Sequence, residues 1–245
     1  GGRGGRRPVA TSTASTPVFG RNAANTITVF KGAQLHARVP GGKGQVDKRF
    51  ENNLVLAGDG PDGFGALRMT RVISGYSSID QLFMNVTLSD DASVYNGNRM
   101  GFSSGTVDLG GHTLSHRARP SGSSEFMFNS ATVKNGHVVA KNNSSMTTQG
   151  TLSLQGTADN TLTIEKGSQF SMWNTQITRW DWTLIQKGGS LLRAGSGTAA
   201  DRNNILGPII LDSGTVTVTN YSPNNTAIRM NLVGPISGAG KMFHN

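Results

Sequence analysis

The chain has 245 residues, long enough to bury a core as one large domain or two small ones. Only 15% of them are charged, against roughly 25% in an ordinary globular chain. Gly, Ser, Thr and Asn make up about two residues in five, types that cost helix propensity or favour turns, so a helical protein is excluded. Simple disorder is excluded as well, because Val, Ile, Leu and Phe recur in short alternating runs.

The first 25 residues, Gly/Arg-rich and then Ser/Thr-rich, read as a flexible leader. They contain no apolar signal-peptide core, so a secreted form would carry Gly1 as a processed end. Beyond them, strands are predicted at Thr26-Ile27-Thr28-Val29-Phe30, Asn53-Leu54-Val55-Leu56, Val86-Thr87-Leu88 and Thr151-Leu152-Ser153-Leu154. Further strands are predicted at Thr161-Leu162-Thr163-Ile164, Thr183-Leu184-Ile185 and Thr215-Val216-Thr217-Val218. Clusters of Gly, Asn, Asp and Ser supply the turns between them.

The strands repeat. Residues 26–35 read TITVFKGAQL, 161–170 read TLTIEKGSQF, and 182–191 read WTLIQKGGSL, with a looser copy, IILDSGTVTV, at 209–218. A Gly-Thr-apolar-x-apolar unit recurs at Gly105–Leu109, Gly150–Leu154 and Gly214–Val218, with a variant at Gly136–Val139. A period near 20–25 residues with a turn glycine before each strand predicts a single right-handed parallel β-helix over 26–245. Each coil contributes about three strands, stacked at roughly 4.8 Å. The alternative is an antiparallel β-sandwich, for which Asn96-Gly97, Asn135-Gly136 and Asp59-Gly60 would serve as hairpin turns.

Two segments carry a family resemblance. Leu232-Val233-Gly234-Pro235-Ile236-Ser237-Gly238-Ala239-Gly240-Lys241 resembles the "GPISGAGGL" segment of autotransporter-associated β-strand repeats. Asn52-Asn53-Leu54-Val55-Leu56-Ala57-Gly58-Asp59-Gly60, running on into Gly63-Phe64-Gly65-Ala66-Leu67-Arg68, resembles the "NNIVLNGDG…GNGAL" segment of the same bacterial surface proteins. Those proteins are similar to the pectate-lyase-like superfamily in being parallel β-helices. The resemblance implies a secreted or surface-exposed passenger or fibre domain with a structural or adhesive role. In the family the Gly-Ala-Gly segment usually runs on into another strand, whereas here Phe243-His244-Asn245 follows. A β-helix cut there has an open edge. The chain therefore reads as a fragment of a longer one, or as an end that self-associates or stacks on a partner.

Lys and Arg total 23 against 14 Asp and Glu, a formal charge of +9. A basic surface suits an acidic polysaccharide or a cell-envelope component. The charge is scattered and not interleaved with aromatics, which argues against nucleic acid. Cysteine is absent, excluding disulfides, a thiolate nucleophile and zinc ribbons. No run approaches the roughly 20 apolar residues of a membrane-spanning helix. No cofactor fingerprint or metal motif is present, so no cofactor and no metal are expected.

Four constellations remain. Asp90-Asp91, followed about one coil later by Gly111-His112, resembles the Asp-Asp and Gly-His-Gly elements of polygalacturonase-type glycosidases, in which paired carboxylates act as acid and base. Thr113 stands where the last glycine would be, and Ser89-Asp90-Asp91-Ala92-Ser93 also reads as an ordinary acidic turn. His112, His116, Arg117 and Arg119 form the best basic cluster, a setting for a lyase base. On one strand His112 and His116 would lie about 13 Å apart, too far to share a metal. Trp180-Asp181-Trp182 places both indoles on one side of a strand. Facing outward with Arg179 and Trp173 they would be a glycan-stacking platform, and facing inward they would fill the coil. The Lys-Gly corners at Lys31, Lys166 and Lys187, if aligned, would form a positive stripe toward an acidic polymer. No catalytic residue is assigned.

Overall fold

In a computed structural model the described residues hold strands and turns, the strands all parallel, in a β-solenoid of about seven turns. The structure describes residues 25–39, 52–71, 80–81, 85–96, 100–118, 125–141, 143–194, 203–220 and 230–244. Nearly all of the expected leader lies outside them, as does Arg119. Every strand pairing among the described residues is parallel, which removes the antiparallel sandwich.

The solenoid has three faces. The chain runs along the third face, turns onto the first, turns onto the second, and then returns one level on. One such circuit passes from Ser145–Gln155, which bends across two faces, to Thr161–Ile164 on the second face. The next runs through Gln169–Trp180 to Thr183–Gln186. The bend from third to first face is a bulge. Ser130 takes φ 51° there in one coil and Gly150 takes φ 69° in the next, and the register slips between Asn129 and Ala131. Strands therefore turn a corner without losing their ladder.

Alternation along each strand sends every second side chain inward, and stacking aligns these into columns. On the first face Leu54, Val86, Val107, Val133, Leu154 and Trp180 stand in register, all at most 4% exposed. The second face carries Leu114, Val138, Leu162, Leu184 and Ile209. The third carries Phe126, Met146, Phe170, Leu192 and Val218. Full burial of side chains of this size stabilises by about 1.5–3 kcal/mol each, which is how a chain with so few charges and so many small residues holds together. Phe102, Phe126 and Phe128 interlock edge to face at 5.1 and 5.2 Å, widening the core in that stretch.

Close coil-to-coil approach and left-handed corners both favour glycine. At Gly101 an added Cβ would overlap the backbone of Met127 in the next coil. At the corner between second and third faces, Asn143, Gly167, Gly189 and Gly214 share a left-handed conformation, φ 59°, 76°, 80° and 66°.

Candidate functional site

The indoles are internal. Trp180 and Trp182 are 2% and 0% exposed, so they are not an exterior stacking platform, and that expectation is corrected. Both N–H groups are used inside the protein. Trp180 Nε1 donates to the Trp182 carbonyl at 2.9 Å, and Trp182 Nε1 donates to the Gln155 carbonyl at 3.0 Å. In the next coil Gly207 leaves room for them, since a Cβ there would overlap the Trp182 carbonyl and stand 3.1 Å from Trp180 Cδ1. Arg179 lies outside, 2.7 Å from Asp181, whose carboxyl it holds below the usual range through their hydrogen bond. Trp173, seven residues before Trp180, is half-buried.

Asp90, Asp91 and His112 do come together, at the corner between first and second faces. Asp91 Oδ1 accepts from the Thr113 backbone N–H at 2.8 Å and lies 3.9 Å from His112 Nδ1. Asp90 takes the ammonium of Lys31 at 2.8 Å, and that hydrogen bond lowers its pKa. Both carboxylates thus serve the scaffold, since Asp91 ties a corner to the next coil and Asp90 forms a surface ion pair. Their side chains are largely open to solvent, Asp90 at 40% and Asp91 at 71%. This is the acidic-turn arrangement, without the enclosed cleft that raises the pKa of a glycosidase acid.

The basic cluster divides. His116 is fully buried, stacked on Phe126 with ring centroids 5.3 Å apart, and its Nε2 lies 2.7 Å from Asn96 Oδ1. Burial lowers its pKa to about 3. It is a core residue, and its place in a basic surface cluster is corrected. Arg117, one residue on, faces outward.

The lysine corners do not align. Lys31 sits at the corner between first and second faces, whereas Lys166 and Lys187 sit between second and third. At that second corner successive coils place Lys141, Glu165, Lys187 and Asp212 in line, their backbones linked from coil to coil. Lys187 Nζ lies 3.8 Å from Glu165 Oε1. The corner alternates in sign and is no positive stripe. The shallow groove there, about 570 Å³, is lined by Asn143, Glu165, Lys166, Gly167, Lys187 and Gly189.

A different outward row stands out on the second face. His36, Arg68, Tyr95, Arg117 and Lys141 occupy equivalent positions in successive coils. Over its middle lies the corner excursion Asp59–Ala66. Phe64 meets Tyr95 edge to face at 5.2 Å, and the Arg68 guanidinium stands 5.3 Å over the Phe64 ring and 5.7 Å over the Tyr95 ring. Arg117 Nη1 donates to the Gly63 carbonyl at 3.3 Å. Asp62 accepts from the Phe64 N–H at 3.0 Å, and Gln34 Nε2 donates to Asp62 and to the Gly65 carbonyl. Sequence reasoning used this segment for its family likeness and for an Asp59-Gly60 hairpin turn in the sandwich alternative. The usable signal was a phenylalanine between glycines in the longest corner of its kind, with Arg68 and Tyr95 one coil apart.

Among the described residues no three His, Asp or Glu side chains gather as metal ligands, and no helix is long and apolar enough to cross a membrane. No family model, no curated protein and no solved structure matches this chain.

Proposed function

We propose that the chain is an extracellular structural or adhesive β-solenoid, a passenger or surface-fibre segment of bacterial autotransporter-associated repeat type, presenting a repetitive face to a cell-envelope glycan. The observation that carries this reading is the second face. Its inner side is core, while its outer row sets His36, Arg68, Arg117 and Lys141 along successive coils, with Tyr95 in the same row buried against Phe64. Such a row offers repeated contacts to an extended polymer, and weak contacts in series give avidity. The net charge of +9 favours association with a negatively charged envelope. The segment Leu232–Lys241 and the run Asn52–Arg68 support the family assignment.

The deciding experiment pairs pull-down on immobilised acidic and neutral polysaccharides with reducing-end and unsaturated-product assays on the same samples. The expected result is capture without product. Product formation abolished by Asp91→Asn or His112→Ala would replace this reading with a polysaccharide hydrolase or lyase.

A further inference from the structure

From the geometry of the Asp59–Ala66 excursion we infer that it forms, with Arg68 and Arg117 and backed by the buried Tyr95, a binding site for a neutral pyranose ring. The inference rests on the adhesive reading and names the ligand class of the face it invokes.

The excursion is costly to build. Gly60, Gly63 and Gly65 all take positive φ, at 76°, 71° and 96°. A Cβ on Gly65 would stand 2.9 Å from the Ser93 carbonyl oxygen. The loop is nevertheless tied down, by Gly65 N–H donating to the Asp59 carbonyl at 2.8 Å and by the Asp62 and Gln34 bonds. What this scaffolding holds out is Phe64, 43% exposed, in the middle of a polar face. One side of the ring covers Tyr95 and the rest faces water from a well-bonded loop, and loops on a rigid scaffold are where binding residues concentrate.

The polar groups around it are only partly used. Arg68 Nη1 lies 3.9 Å from Asp62 Oδ2, and Arg117 Nη2 lies 3.9 Å from Asp59 Oδ2. At that separation charge is balanced but no hydrogen bond forms. The Nε–H groups of both arginines are enclosed without an acceptor. Those Nε–H groups are out of a ligand's reach, but the part-exposed terminal nitrogens Arg68 Nη1 and Arg117 Nη2 and the Asp59 and Asp62 carboxylates stand beside the exposed Phe64 ring without bonding each other. A ligand that satisfies all three has an apolar face and a rim of groups that both donate and accept, which describes a sugar ring and its hydroxyls. The two arginines and two aspartates cancel formally, so a uronate or sulfate would meet Asp59 and Asp62 as well as the cations. The neutral sugar is the better match.

The test is calorimetric titration of the whole chain with neutral gluco-, manno- and xylo-oligosaccharides, and with oligogalacturonate, at about 0.05 and 0.5 M salt. The expected result is saturable binding of a neutral oligosaccharide, changed less than about twofold by salt, since screening acts on charge. Phe64→Ala should weaken it at least about tenfold, a loss of about 1.4 kcal/mol. Asp62→Asn, which keeps the acceptor oxygen for the Phe64 N–H but removes the charge, should weaken it severalfold. Asp62→Asn should unfold at the wild-type temperature, and Phe64→Ala, which gives up its contacts with Tyr95 and Arg68, only slightly below it and as one cooperative transition. The proposal is overturned if no neutral oligosaccharide binds, if binding survives Phe64→Ala, or if only oligogalacturonate binds and salt abolishes it. Polysaccharide capture that persists in Phe64→Ala would sink this site while leaving the adhesive reading intact. Failure of the wild-type chain to capture any polysaccharide would sink both.

Discussion

His116 gives the solenoid a pH dependence that can be worked out from its surroundings. In its column Val94 stands on one side and Ala140 on the other, with Phe126 against the ring. The Asn96 amide donates through Nδ2 to the Glu125 carbonyl at 2.6 Å, so its Oδ1 faces His116 Nε2. An oxygen there can only accept, which fixes the proton on Nε2 and leaves Nδ1 enclosed and without a partner. Protonation would add a charged N–H where no acceptor exists. The folded pKa is lowered from 6.5 to about 3. A depressed histidine pKa means that the unfolded chain takes up the proton first as pH falls. Stability is therefore full above about 6.5 and declines toward about 3, by about 1.4 kcal/mol per pH unit. Between pH 7 and pH 4.5 the loss is about 2.5 kcal/mol. This interval lies above the range in which Asp90 and Asp181, held below 3.8 by Lys31 and Arg179, lose their pairing. Urea unfolding at the two pH values measures the difference, and His116→Leu combined with Asn96→Leu should remove most of it. Equal stability at both pH values, or an undiminished drop in the double variant, would refute the argument.

Trp182→Ala removes a fully buried indole from between coils and should cost about 3–5 kcal/mol in denaturant unfolding, with glycan capture by the folded fraction unchanged. Loss of capture without loss of stability would mean that the indole is a ligand contact after all. Gln186 is fully buried between Ile164 and Leu211, with both amide atoms unpartnered. Gln186→Leu should therefore raise stability by about 1–3 kcal/mol. Gly101→Ala should yield no natively stacked protein, because its methyl group would overlap the Met127 backbone. Normal far-ultraviolet dichroism and a cooperative melt in that variant would contradict the packing described.

The strand–corner chemistry was legible in the sequence, but the assignment of strands to faces was not. TITVFKGAQL and TLTIEKGSQF look like one repeat, yet Thr26–Val29 lies on the first face and Thr161–Ile164 on the second. The Gly-Thr-apolar-x-apolar units likewise fall on the first face at Thr106–Asp108 and on the third at Thr215–Asn220. Alternation with a turn residue, most often glycine, serves all three corners, so similarity marks a third of a coil and not its position around it. Register was nearly readable. Residues 161 and 182 begin similar strings, whereas Thr161 pairs with Thr183, and that one-residue slip sets Lys187 over Glu165 instead of Lys166. The same slip is why a lysine stripe was expected and an alternating corner is found. Of the candidate site, Arg117 was legible because it sits in a visibly basic run. Phe64, Arg68 and Tyr95 were not, because their meeting depends on a loop path that no local pattern encodes.

The hydrogen bonds joining one coil to the next run along the axis of the solenoid, as in Leu54 N–H to the Asn85 carbonyl or Leu184 N–H to the Pro208 carbonyl. A load applied along that axis must open a whole level, with all three faces sharing the force in parallel. A load applied to one end of the polypeptide meets far less resistance, because it peels a single strand and then the next. The same molecule is therefore stiff as a post and weak as a thread, and the point of tether decides which of the two a mechanical load encounters.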